Sequence, residues 1–426
     1  MIAVCYPGAL AGTVRAIPSK SDAHRKLICA ALSENGGTLP ICTPFCDDIA
    51  ATIRCLNALG AGFSETTEGL QVTPIARQPH ADLDCGESGS TLRFLLPVAM
   101  TVCSDISVTG VGRLPERPIG TLVQAMSVHG VQFSKDSLPL DAAGTLTGGK
   151  FKIEGNISSQ FLSGLLMALA NCETQSEIQL TTPLQSAAYV DMTLDTLRIF
   201  GAKIDVSANE NGLLKYTVYP QKLHMPEKLT VDGDWSNAAF WLVAPTLQES
   251  GESAVTVTGL DANSTQGDSA IWAILRDTGA EQSVENDAFT VKTAFNQSLT
   301  AAMERIPDLL PILAVKAAFA AGTSEFVKAE RLRLKESDRL AATAKLLRDL
   351  GGRAEDRSDG LSVYGGQLHG GTVDGMNDHR LVMAAAVAAT ACTEPVRILG
   401  AEAVNKSYPG FFEDFRALGG KVELKP

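Results

Sequence analysis

Apolar and polar positions along this 426-residue chain fall into two helical textures that take turns. In the first, apolar residues run almost without interruption: Lys26–Leu32, Leu92–Met100, Phe161–Ala170, Ala238–Leu247, Leu309–Ala321 and Leu381–Ala391. A helix with no polar face belongs in a core. In the second, apolar residues keep to one stripe. Leu340, Ala344, Leu347 and Leu350 show the spacing, with charged residues between them. Short runs rich in β-branched residues flank the helices, among them Ile106–Thr109, Glu177–Leu180, Ala254–Val257 and Val396–Leu399.

Each amphipathic segment ends in an apolar residue next to a glycine. These glycines are Gly60, Gly130, Gly201, Gly279, Gly351 and Gly419, at intervals of 70, 71, 78, 72 and 68 residues. Glycine there suits the left-handed residue that ends a helix. The spacing predicts six copies of one α/β unit, each with four short strands and two helices, one of them buried. Three copies per domain place the join near Leu229–Gly233, close to the chain midpoint.

Composition excludes several classes. Apolar residues make up 45% and charged residues 20%, without low-complexity tracts, so extensive disorder is not expected. Of nine scattered cysteines only Cys42 and Cys46 stand close, and no second pair offers a metal-ligand spacing. A free-thiol cytoplasmic protein without a metal site is expected. Met1–Leu10 lacks the basic flank and apolar run of a signal peptide. Leu309–Ala321 is too short to span a bilayer and carries Pro311 and Lys316. A net charge of −12 opposes a general nucleic-acid surface, but a local cluster of Arg and Lys can still bind small anions.

Polar strings stand at the predicted helix starts, where unpaired N–H groups and the helix dipole favour anions. They are Pro18–Arg25, Gly86–Arg93, Ser158–Gln160, Ser186–Tyr189, Lys335–Arg339, Met376–Arg380 and Asn405–Gly410. Arg117 stands between Pro115 and Pro118, which stiffens it for a bidentate grip, and Asp308 directly precedes a buried run. Each string also reads as ordinary capping, a rigid turn or a solvated charge run. Together, basic residues at so many helix starts point to a converging anion site.

Ser19-Lys20-Ser21 with Arg25, Gly89 in its Gly-x-x-Gly loop, Glu116-Arg117-Pro118, Ser158-Ser159-Gln160, Lys335–Arg339, Asn377–Arg380 and Asn405-Lys406-Ser407 resemble, in order and spacing, the EPSP synthase family. The resemblance spans nearly the whole chain. It implies the two-lobed enolpyruvyl transferase fold, an α/β architecture of six βαβαββ repeats, three per domain, with buried central helices. Residues 1–18 plus 232–426 would form one lobe and 19–231 the other, with the active site in the cleft between them. The implied enzyme is a 3-phosphoshikimate 1-carboxyvinyltransferase of the shikimate pathway. It moves the enolpyruvyl group of phosphoenolpyruvate to the 5-hydroxyl of shikimate 3-phosphate and releases phosphate.

By the same resemblance Lys20, Gly89, Arg117, Gln160, Arg339, Arg380 and Lys406 hold phosphoenolpyruvate. Lys20, Ser21, Arg25, Ser158, Ser159, Gln160, Ser186, Asp308 and Lys335 hold shikimate 3-phosphate. Asp308 is the expected base on the attacking hydroxyl, and Glu336 with Lys20 the expected proton shuttle at C3. His379 reads equally as a helper or as a histidine settled at a helix start. No cofactor, nucleic acid, membrane or metal is implied, and the chain is expected to act as a monomer. Half the cations lie in each half of the sequence, so substrates are expected to draw the lobes together. Gly89 should leave room for the inhibitor glyphosate. Two departures stand out: Arg331 takes a place where some relatives carry Asn, and Ser90 follows Gly89 where Thr is common.

The nearest rival is transfer of enolpyruvyl to UDP-N-acetylglucosamine. That family places a reactive Cys near Arg117, whereas Val111–Gly120 contains none. A nucleic-acid end-processing protein or repeat scaffold is opposed by the net charge and by the absence of a basic–aromatic stripe.

Overall fold

The computed structural model describes residues 1–41, 44–248, 253–294 and 296–426, with the side chains of 293 and 294 excepted. Cys42 of the one close cysteine pair lies outside the described residues. The chain divides into two compact units, Lys20–Val231 and Met1–Ser19 with Asp232–Pro426.

One strand pattern recurs in both units. A first strand runs parallel to a second, a third pairs antiparallel with the second, and a fourth pairs antiparallel with the third. In the Lys20–Val231 unit this gives Ala81–Asp84, Asp105–Thr109, Leu140–Gly144 and Val131–Phe133. It also gives Lys150–Ile153, Ser176–Leu180, Leu214–Val218 and Ile204–Ala208. The third sheet of this unit has only the last three positions, Gly37–Leu39, Gly69–Thr73 and Gly62–Thr66, among the described residues.

In the other unit the pattern covers Thr300–Ala302, Thr323–Val327, Gly360–Tyr364 and Arg353–Arg357. Its other two sheets borrow strands from the start of the chain. Gly12–Arg15 lies parallel to Ala254–Thr258, beside Ala288–Ala294 and Ala280–Glu285. Ile2–Cys5 sits antiparallel between Val396–Leu399 and Val422–Lys425, with Gly371–Asp374 at the far edge.

All six helix-ending glycines take the left-handed conformation, with φ between +88° and +98°. A Cβ there would be strained, which explains the repeat that the glycines mark. The apolar helices form the two cores. All eleven residues of His379–Ala389 are buried, as are all nine of Leu310–Ala318. Leu340, Ala344, Leu347 and Leu350 are each 0% exposed, as their spacing requires.

Helix limits differ from the periodicity reading where polar residues are buried or proline intervenes. The first helix begins at Lys20, not Lys26, and Asp22–Ala31 are all buried. Its polar members pair inside the protein: Lys26 Nζ lies 2.6 Å from Asp22 Oδ2 and 2.8 Å from the Thr230 carbonyl. The helix expected over Ala238–Leu247 runs from Trp235 to Val243, and Pro245 sits in the short 3-10 turn that follows. Asp308 likewise lies in a 3-10 turn, Pro307–Leu309, ahead of Leu310–Ala318.

One close contact orders the polar ends of two helices. A Cβ on Gly164 would lie 2.3 Å from the Arg93 carbonyl oxygen. Pro97, four residues on, supplies no N–H to that carbonyl, so the helices Gly89–Val102 and Ser159–Ala170 can approach there. None of the described helices is long and apolar enough to cross a membrane.

Candidate active site

In the unit that contains Asp232–Pro426, the strings around Asp308, Lys335 and Arg380 meet in one buried ionic cluster. Arg339 opens the helix Arg339–Asp349 and is 1% exposed. Its Nη1 donates to Asp308 Oδ1 at 2.7 Å, its Nη2 to Glu336 Oε2 at 2.7 Å, and its Nε to Asp378 Oδ2 at 3.0 Å. Burial works against the charge, but Asp378, Glu336 and Asp308 hold the guanidinium above its ordinary range.

Asp308 receives two further cations, Lys335 Nζ at 3.3 Å and Arg380 Nη2 at 3.2 Å. Three cations around one carboxylate favour its charged form. Lys335 is pulled below the usual lysine range by burial and by Arg339 and Arg331, against Asp308 and Glu336. Arg331 itself sits in the turn Glu330–Leu334, so its charge bears on Lys335.

The sequence signals explain how these groups are aimed. Asp378 caps the helix His379–Ala389, taking the Arg380 backbone N–H at 3.0 Å. Ser337 Oγ donates to the same carboxylate at 3.0 Å, so the cap also ties down the Lys335–Asp338 segment. Met376 and Asn377 just before it have φ of 47° and 55°, a strained turn that presents the Asn377 carbonyl to Lys406 Nζ at 2.6 Å. His379 is 2% exposed at the start of this buried helix.

The Lys20–Val231 unit holds the other expected residues. Lys20 is the first residue of its helix and pairs with Asp48 Oδ2 at 2.6 Å. Arg25 is turned inward. Its Nε donates to Thr193 Oγ1 at 2.7 Å, its Nη1 to the Ser21 carbonyl at 2.5 Å and its Nη2 to the Tyr189 carbonyl at 2.7 Å. The ring of Phe94 lies 5.0 Å beneath it, and burial pulls its pKa to about 10. Three of its five donors therefore serve the protein itself.

Gly89 opens its helix behind the cap Ser88, which accepts the Thr91 N–H. A Cβ on Gly89 would lie 2.6 Å from Arg117 Nη1 and 2.9 Å from Arg93 Nη1, so two guanidinium groups converge on this glycine. Arg117 follows the turn Leu114–Glu116 with extended backbone, as a residue before proline should. Arg93 Nη1 donates to Gln160 Oε1 at 2.8 Å, and Gln160 Nε2 to Ser90 Oγ at 2.9 Å. Ser158 caps the helix that Ser159 and Gln160 begin. Ser186, with φ of 56°, precedes the helix Ala187–Ile199.

Nine of the fifteen expected residues thus form two sets. Asp308, Lys335, Glu336, Arg339 and Arg380 share one ionic cluster, with Lys406 tied to its edge through Asn377. Gly89, Arg117 and Gln160 share a second, bridged by Arg93. Sequence reasoning assigned no role to Asp378, Arg93 or Asp48, although each binds an expected residue directly. Their signals were a cap before an apolar helix, an Arg one turn into the Gly-x-x-Gly helix, and an acidic helix start.

Solved structures place the fold. An EPSP synthase from Acinetobacter baumannii aligns with a TM-score of 0.80 at 24% identity, covering 99% of this chain and 100% of that one. The enolpyruvyl transferase NikO from Streptomyces tendae aligns with a TM-score of 0.78 at 18% identity, covering 99% and 98%. The architecture is that of the enolpyruvyl transferases.

Sequence similarity narrows this class. The chain is 38% identical over 424 residues to the 3-phosphoshikimate 1-carboxyvinyltransferase of Clostridium kluyveri, covering 98% of this chain and 97% of that one. It is 39% identical over 425 residues to the protein of the same name from Clostridium acetobutylicum, with the same coverage. Residues 4–415 match the family EPSP synthase (3-phosphoshikimate 1-carboxyvinyltransferase), and the chain belongs to that family.

Proposed function

We infer that this chain catalyses the transfer of the enolpyruvyl group from phosphoenolpyruvate to the 5-hydroxyl of shikimate 3-phosphate, releasing phosphate. Family membership supports the reaction. The observation that carries the mechanism is the Asp308 carboxylate, gathered by Lys335, Arg339 and Arg380 with Glu336 on the same guanidinium.

The substrates together bring two phosphates and two carboxylates, which repel one another unless cations surround them. Arg117, Arg339, Arg380, Lys406 and Lys20 take phosphoenolpyruvate, with Gly89 giving its phosphate room. Ser21, Arg25, Ser158, Ser159, Ser186 and Lys335 take shikimate 3-phosphate, and Gln160 serves both. As substrate anions draw Lys335 and Arg380, Asp308 loses two partners and becomes more basic. It then accepts the proton of the 5-hydroxyl as that oxygen attacks C2 of phosphoenolpyruvate. Glu336 and Lys20 deliver the proton to C3. Collapse of the tetrahedral adduct returns the C3 proton to Glu336 and Lys20 and expels phosphate, which takes up the proton held on Asp308.

Transfer to UDP-N-acetylglucosamine is not favoured, since the family match is to the shikimate branch and no Cys stands near Arg117. The eight described cysteines are free and buried, which suits a cytoplasmic enzyme. We take it to act as a monomer. Phosphate release decides the reading. It is expected on mixing phosphoenolpyruvate with shikimate 3-phosphate and not with UDP-N-acetylglucosamine; the reverse result overturns it.

A further inference from the structure

The chain leaves one compact unit between Ser19 and Lys20 and returns to it between Val231 and Asp232. Inside that unit, both ends of this excursion meet one side chain that the proposed reaction does not use. Gln266 is 5% exposed. Its Oε1 accepts from Ser19 Oγ at 3.0 Å and from the Trp235 backbone N–H at 3.2 Å. Its Nε2 donates to the Gly233 carbonyl at 2.8 Å and to Ser264 Oγ at 3.1 Å. Both lone pairs and both N–H groups of the amide are therefore engaged. Ser264 Oγ donates in turn to Asp232 Oδ2 at 3.2 Å.

The backbone joins the same two segments. Ser19 N–H donates to the Asp232 carbonyl at 2.7 Å, and Asp234 N–H to the Ile17 carbonyl at 2.8 Å. Gln266 fastens this pair to a third segment, just ahead of the turn Gly267–Ser269. A Cβ on Gly233 would lie 2.2 Å from the Gly259 carbonyl oxygen, so the returning segment is seated closely as well. A buried amide with all its bonds made holds one geometry, because any shift leaves polar groups unpaired.

Ser19 is 1% exposed and directly precedes Lys20. Lys20 opens the helix Lys20–Leu32 and reaches Asp48 Oδ2 at 2.6 Å. The place of its ammonium group therefore depends on a helix start whose preceding residue is held by Gln266.

We propose that Gln266 is a positioning residue for Lys20: through Ser19 it fixes the start of the helix Lys20–Leu32, so that the lysine meets phosphoenolpyruvate in one place. The proposal rests on the reading of Lys20 as a phosphoenolpyruvate ligand and proton shuttle.

The test is kcat/KM for phosphoenolpyruvate, with urea unfolding beside it, in Ser19→Ala, Gln266→Met, the double variant and Gln266→Glu. Ser19→Ala removes the hydroxyl that Gln266 holds and should lower kcat/KM on the order of tenfold, as a displaced reacting group does. Gln266→Met should lose about as much, and its urea midpoint should fall because the Gly233 carbonyl and the Trp235 N–H lose their partner. The double variant should lose no more activity than Gln266→Met, since both changes cut one path. Gln266→Glu keeps the acceptor for Ser19 and should restore most of the activity. Its urea midpoint should stay low, because it offers the Gly233 carbonyl no N–H.

Wild-type kcat/KM in Ser19→Ala overturns the proposal. So do multiplied losses in the double variant, which would mean that Ser19 and Gln266 act separately. Turnover in Gln266→Glu as poor as in Gln266→Met also overturns it, because a merely structural amide behaves that way. If Gln266→Met does not fold, Ser19→Ala and Gln266→Glu decide: the first must lose activity and the second must keep it. Lys20→Met is measured alongside: an unaltered kcat/KM there defeats the assignment of Lys20 rather than the tie through Gln266.

Discussion

Arg339 donates its Nε proton to Asp378 at 3.0 Å, with the two side chains 1% and 0% exposed. The pair joins the starts of the helices Arg339–Asp349 and His379–Ala389, so it aligns two of the expected phosphoenolpyruvate ligands at once. Removing one partner of a buried pair leaves the other charge uncompensated, at a cost of roughly 3–5 kcal/mol. Asp378→Ala should lower the urea midpoint by that equivalent. Asp378→Asn keeps a cap acceptor and should lose less. A midpoint that does not move for Asp378→Ala would show that Glu336 and Asp308 already neutralise Arg339.

Gly89→Ala should impair binding without unfolding the protein. The new methyl meets the far ends of Arg117 and Arg93, which can swing aside, but only by leaving the place where they converge. A KM for phosphoenolpyruvate raised on the order of tenfold, with an unaltered melting temperature, is the expected outcome. Glyphosate inhibition should weaken in the same variant. Equal KM values for variant and wild type would contradict the assigned role of Gly89.

Asp308→Asn and Glu336→Gln address the proton transfers. General acid–base groups contribute about 10²–10⁴ in rate, and each variant should lose kcat on that scale. Both variants remove a charge from Arg339, so circular dichroism must show an intact fold before the kinetics are compared. Full turnover in both variants would refute the catalytic assignment.

Lys316 supplies a pH dependence of stability. It is 1% exposed, donates to Asn296 Oδ1, and burial lowers its pKa to about 8. Unfolded, it titrates near 10.4, so between about pH 8 and 10.4 the unfolded chain binds more protons and stability rises with pH. The difference corresponds to roughly 3 kcal/mol. Lys316→Met should therefore compare best with wild type near neutral pH, and its relative stability should fall as pH rises toward 10 in urea titrations. A constant difference across that range would show that Lys316 does not titrate as described.

The repeat was legible because its marker is conformational: only a glycine is unstrained at a φ near +90°, as at Gly60 and Gly351. The apolar helices were legible because burial on all sides leaves no polar face. Periodicity failed over Lys20–Lys26, where Asp22, His24, Arg25 and Lys26 are buried yet partnered. The sets around Arg339 and Arg93 join residues 39 and 67 positions apart. Local spacing cannot report such pairings, so Asp378 and Arg93 read only as a cap and a helical arginine.

The strand Ile2–Cys5 pairs Ile2 with both Leu399 and Lys425. Synthesis on the ribosome therefore delivers this strand hundreds of residues before either neighbour exists. Meanwhile the segment Lys20–Val231 has all the partners its own sheets use. Nascent chains should thus acquire protease resistance in that middle segment first, and the strand Ile2–Cys5 has to be kept from pairing elsewhere until Val396–Leu399 and Val422–Lys425 have been made.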